Sequence, residues 1–189
     1  MLYSLNFLIS LSLLHLSSCN IYAAHPSVPR QTPSSTRGTV DWSKYGFTTV
    51  TDAVTITPGA TDSVVSGPYD IQIPGNAFTY PVKFELLSGN PTSFSVNAPS
   101  GETPILAFAF KVVDTQNDSL VGEFGHPVNI TVTNSQITPQ SWYYNILTNG
   151  SYVLNSTGMQ VTAGQMKHPI NGALYGWVIT TPSSSGGGY

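Results

Sequence analysis

Val82-Lys83-Phe84-Glu85-Leu86 places an apolar side chain at every second position, with a lysine and a glutamate between. In an extended chain successive side chains point to opposite faces, so this spacing describes a β-strand with one buried face. Lys83 and Glu85 then form a charge pair on the solvent face. Working outward, Ile71 and Ile73 flank Gln72 in the same way, and Val128, Ile130 and Val132 alternate with Asn129, Thr131 and Thr133. The run from Ile105 to Val113 is almost continuously apolar, which suits a central strand covered on both faces.

Turn signals separate these runs: Thr57-Pro58-Gly59, Ser66-Gly67-Pro68, Pro74-Gly75-Asn76, Asn90-Pro91, Pro99-Ser100-Gly101 and Asn149-Gly150. Proline presets one backbone dihedral, and glycine or asparagine tolerates a positive one. Asn149-Gly150 is the strongest hairpin turn in the chain. No segment holds a helical period for three turns. Strands every 8–15 residues with turns between them predict an all-β fold, a single antiparallel β-sandwich of immunoglobulin-like or related type.

The ends read differently. Residues 1–23 carry an uncharged, leucine-rich stretch from Leu5 to Leu16, too short to span a bilayer and suited to a secretory signal peptide. Ala23 offers a small residue for cleavage before Ala24, whereas Leu16-Ser17-Ser18-Cys19 resembles a lipobox that would make Cys19 a lipidated first residue. Residues 24–38 are rich in proline and serine and read as a flexible stalk. The sandwich is expected over 39–180, followed by a disordered Ser/Gly tail over 181–189, with no membrane span once the signal is cleaved. Cys19 is the only cysteine among 189 residues, so no intrachain disulfide can form and the thiol chemistry of redox enzymes and cysteine proteases is excluded.

Charged residues make up 8% of the chain, against about a quarter in an average soluble domain. The net charge is −3, and the six basic residues are scattered, so there is no footprint for nucleic acid. Surface polarity comes instead from 44 serines and threonines.

The stretch Asp70–Phe84, with Pro74-Gly75-Asn76-Ala77 between two strands, resembles the opening of the β-sandwich module of ankyrins and netrin receptors, whose relatives occur in bacterial surface proteins. Gly122–Val132 is similar to that module's central Pro-Val strand, and Val161–His168 to its late strand-Gly-x-x-x-His element. The resemblance spans about residues 65–180 and implies a scaffold or interaction domain. Some members of the wider group cleave themselves at His-Phe-Ser. Here His168 is followed by Pro169-Ile170, so the nucleophile is missing.

Catalytic constellations are scarce. Glu85, Glu102 and Glu123 are the only glutamates and form no recognisable acid–base pair, and no Gly-x-Ser-x-Gly elbow is present. His126 and His168 each precede proline and read as turn histidines rather than zinc ligands. Asp114 and Asp118, in the loop Asp114-Thr-Gln-Asn-Asp118, are the candidate calcium ligands. Neither a resident metal nor a cofactor is expected.

Four sequons, at Asn117, Asn129, Asn149 and Asn155, are candidate glycosylation sites, and Pro91 disqualifies Asn90. Trp142 and Tyr144, with Tyr175 and Trp177, are two aromatic pairs at spacing two that could stack on sugar rings. Core filling is the competing role for all four.

The expectation is therefore an exported, non-enzymatic structural or adhesive component, secreted or held at the cell surface or in an extracellular matrix. Its partners would be other extracellular proteins, or copies of itself joined through sheet edges. The alternative is a secreted carbohydrate-binding module that recognises polysaccharide through exposed aromatics.

Overall fold

The computed structural model describes residues 39–183. The signal segment, Cys19, the stalk and the end of the glycine tail lie outside the described residues. Eleven strands run β1 (Thr49–Ile56), β2 (Asp62–Ser66), β3 (Tyr69–Ile73), β4 (Val82–Gly89), β5 (Glu102–Asp114), β6 (Glu123–Thr133), β7 (Trp142–Ile146), β8 (Tyr152–Leu154), β9 (Gln160–Thr162), β10 (Gln165–Gly172) and β11 (Gly176–Pro182). They form two antiparallel sheets that pack together: a six-stranded sheet in the order β1-β4-β5-β11-β7-β8 and a five-stranded sheet in the order β2-β3-β6-β10-β9. The fold is an all-β sandwich. β11 continues to Pro182, so Thr181 and Pro182 belong to the sheet rather than to the tail expected from residue 181.

The alternating runs fill the space between the sheets. Val82, Phe84 and Leu86 from β4, Ile71 and Ile73 from β3, and Val128, Ile130 and Val132 from β6 all join one core with Phe108, Phe110 and Trp177. Phe108 and Trp177 stack with ring centroids 5.3 Å apart. Asn149-Gly150 closes the β7–β8 hairpin, where the Leu147 carbonyl accepts the Gly150 N–H at 2.8 Å. Gly150 has φ +79°, a conformation costly for residues with a Cβ. Asn90-Pro91 opens a 3-10 helix, η2 (Pro91–Asn97), rather than a simple turn. The Asn90 side chain accepts the Thr92 N–H, and proline takes the first helical position.

A second cluster covers the outer face of the larger sheet. Along β5 the inward residues Phe108, Phe110 and Val112 alternate with Ala107 and Ala109, which face out and are buried. The segment from Val40 to Phe47, including the short 3-10 helix η1 (Trp42–Lys44), lies over these alanines and over Leu87, Val178 and Ile146. Trp42 donates its indole N–H to the Ala173 carbonyl at 3.0 Å, and Asp41 pairs with Lys111 at 3.3 Å. Gly176 makes room for Phe47, since a Cβ there would sit 2.3 Å from the ring.

Glu85 departs from expectation. It does pair with Lys83, at 2.6 Å, but only Lys83 stands in solvent. Glu85 is buried because β4 is an interior strand, where it sits between Ala53 of β1 and Lys111 of β5.

The arm accounts for much of the burial on this face. Trp42→Ala should lower unfolding stability by about 3–5 kcal/mol, the usual cost of emptying a buried tryptophan site. Urea unfolding measures it, and a loss below about 1 kcal/mol would mean that Trp42 does not pack on the sheet.

Candidate functional site

The four aromatics singled out for sugar stacking do not form one platform. Strand alternation turns Tyr143 inward and puts Trp142 and Tyr144 on the outer face of the larger sheet. Trp142 is 41% exposed, but Tyr144 is covered: its hydroxyl donates to Glu102 at 2.9 Å and its ring meets Tyr152 edge-on. Burial, with Glu102 adding to it, raises the Tyr144 pKa well above the ordinary tyrosine value. The same two causes push Tyr152 up to about 12. Trp177 is 2% exposed and belongs to the core, which corrects its assignment as an open stacking surface. Tyr175 is half-buried in the β10–β11 connection, just before β11, beside both apolar clusters.

His168 is not in a turn. It lies within β10, points between the sheets and is 4% exposed, its ring packed on Tyr143 with centroids 4.4 Å apart. His126 is also in a strand, exposed on β6. The prolines that follow both residues favour extended backbone, which a strand satisfies as well as a turn does. His168 Nδ1 and the Tyr143 hydroxyl are both sealed from solvent with no hydrogen-bond partner. Each such atom costs roughly 1–3 kcal/mol. Burial holds the His168 imidazole down at about 4.

Two carboxylates, Glu102 and Asp114, are committed to structure. Glu102 accepts hydrogen bonds from Tyr144 and Thr180. Asp114 is buried at the end of β5, and its two oxygens accept the Gln116 N–H and the Asn117 side-chain amide at 2.8 and 3.0 Å. It closes the loop in which Asp118 takes φ 57°, so its oxygens are used inside the turn rather than turned toward a cation. Among the described residues no three His, Cys, Asp or Glu side chains converge on one point.

Asn117, Asn149 and Asn155 sit in turns, and each side-chain oxygen accepts the N–H two residues on. Asn129 instead lies within β6, exposed, in register with Gln72 and Pro169. At Asn149 only the oxygen is engaged, whereas Asn117 and Asn155 also donate their side-chain nitrogens, to Asp114 and Asn145.

Sheet edges are the remaining feature. β8 and β9 are three-residue edges, and β2 has five residues. β1 is an eight-residue edge strand with β4 on one side only, and Val50 on it is 54% exposed. Its register shifts between Val50 and Asp52, a bulge of the kind that often marks sheet edges.

No protein-family model matches the chain, and no curated protein matches it.

The buried histidine makes stability depend on pH. Its folded pKa of about 4 lies below the ordinary 6.5, so the unfolded chain takes up the proton first as pH falls. Stability is therefore full above pH 7 and declines between about pH 6.5 and 4, by on the order of 2 kcal/mol. Asp41, whose pKa is lowered by the Ser43 hydrogen bond and by Lys111, acts only below this window. His168→Phe should flatten the decline. Urea midpoints at pH 7 and pH 4.5 measure it, and equal losses in both proteins would rule the mechanism out.

Proposed function

We propose that the protein is an exported, non-enzymatic β-sandwich that acts as a structural or adhesive component of a cell surface or extracellular matrix. It joins other copies of itself through sheet edges. The observation that carries this reading is β1, a long edge strand rich in threonine and valine with no strand on its outer side. Such an edge offers backbone donors and acceptors to a neighbouring chain, interrupted where Asp52 accepts the Ala53 N–H and the Ser66 hydroxyl donates to the Thr51 carbonyl. The signal-like amino terminus and the Ser/Thr-rich surface support an extracellular setting, as does the resemblance over residues 65–180 to modules found in surface proteins.

Two measurements test the reading. Sedimentation of the mature protein should show association that grows with concentration, and lysines at the exposed positions Val50 and Ala53 should abolish it without altering the circular dichroism. A strict monomer at high concentration would sink assembly through edges. The intact mass of protein isolated from its host should correspond to a chain beginning at Ala24. Retention of Met1 would contradict export.

A further inference from the structure

A cavity of about 350 Å³ opens at one end of the sandwich, between the second half of β10 and the start of β11. It lies at the small end of the range for small-molecule sites. Tyr175 and Leu174, both half-buried, supply the aromatic and apolar surface, and the buried side chains of Phe124, Ile170 and Trp177 lie beneath them. Glu123, Thr157 and Asn171 line it with side chains that form no hydrogen bond among the described residues. His168 reaches the same cavity, and its Nδ1 has no partner.

We propose that this cavity binds a neutral saccharide, one or two rings in size, with Tyr175 and Leu174 against the apolar face of a ring and Glu123, Thr157 and Asn171 hydrogen-bonded to its hydroxyls.

The lining chemistry separates this ligand from the others. Among the described residues no lysine or arginine lines the cavity, and Glu123 brings a negative charge, so phosphate and acidic sugars are disfavoured. A purely apolar chain would strip water from Glu123, Thr157 and Asn171 with nothing in return. An added peptide strand along β10 is blocked as well. β9 pairs only with Gln165–Lys167, but Pro169 lacks an N–H in the stretch beyond, and the loop carrying Gly158 packs against its ring. A polyhydroxylated ring with one apolar face uses both halves of the lining.

This proposal does not rest on self-association, and its test reads a different quantity. The mature protein is titrated with neutral gluco-, manno-, xylo- and chito-oligosaccharides by calorimetry, with ¹H–¹⁵N shifts recorded in parallel. One class should bind and shift the amides of Thr157, Asn171 and Tyr175. Tyr175→Ala should weaken binding at least about tenfold, the equivalent of about 1.4 kcal/mol. Glu123→Gln and Asn171→Ala, at exposed rim positions, should weaken it without changing the unfolding midpoint, which separates loss of ligand contact from loss of fold. Trp142→Ala should leave it unchanged. The proposal is overturned if no sugar of the panel binds at about 10 mM, far above millimolar affinity. It is equally overturned if Trp142→Ala abolishes binding while Tyr175→Ala does not, because the site would then be the open face of β7.

Discussion

β5 is apolar on both faces, and much of the molecule follows from that. A strand with one wet face needs a single partner sheet, but Phe108, Phe110 and Val112 on one side and Ala107 and Ala109 on the other both have to leave water. The five-stranded sheet covers the first set. The second has no sheet available, and the arm from Val40 to Phe47 takes that place. Small residues make this workable. Ala107, Ala109 and Gly176 keep the outer surface of β5 and β11 low enough for Trp42 and Phe47 to lie directly on it.

The sandwich was legible because its inner face is written in period two. Val82/Phe84/Leu86 and Val128/Ile130/Val132 can be buried together only on one side of a strand. The hairpin at Asn149-Gly150 was equally plain, since few other residue pairs accept its backbone. The arm was not legible. Trp42 and Phe47 stand in a short segment without periodicity, and what fixes them is contact with residues more than a hundred positions away, such as Ala173 and Gly176. Glu85 misled for a related reason. Alternation assigns a face correctly, but whether that face is wet depends on the neighbouring strands.

The site was read only in part. Alternation put Trp142 and Tyr144 on one face, yet could not show that Glu102 and Tyr152 cover Tyr144. The proline after His168 correctly signalled extended backbone but could not distinguish a turn from a strand interior. The cavity draws residues from β6, the β8–β9 connection, β10 and β11, and no local pattern links Glu123, Thr157 and Asn171. Their convergence is a property of sheet order alone.

The covering arm is also the first stretch of the chain that the structure describes, so any tether ahead of residue 39 would pull on it directly. Its attachments are few: the Trp42 indole on Ala173, the Asp41–Lys111 pair and the rings set over β5. These can be lost one after another, whereas the β5–β11 ladder, paired from Glu102 to Ala109, has to slide as a unit. Under tension from that end the arm would act as a fuse, extending the molecule and baring Ala107 and Ala109 while both sheets remain intact.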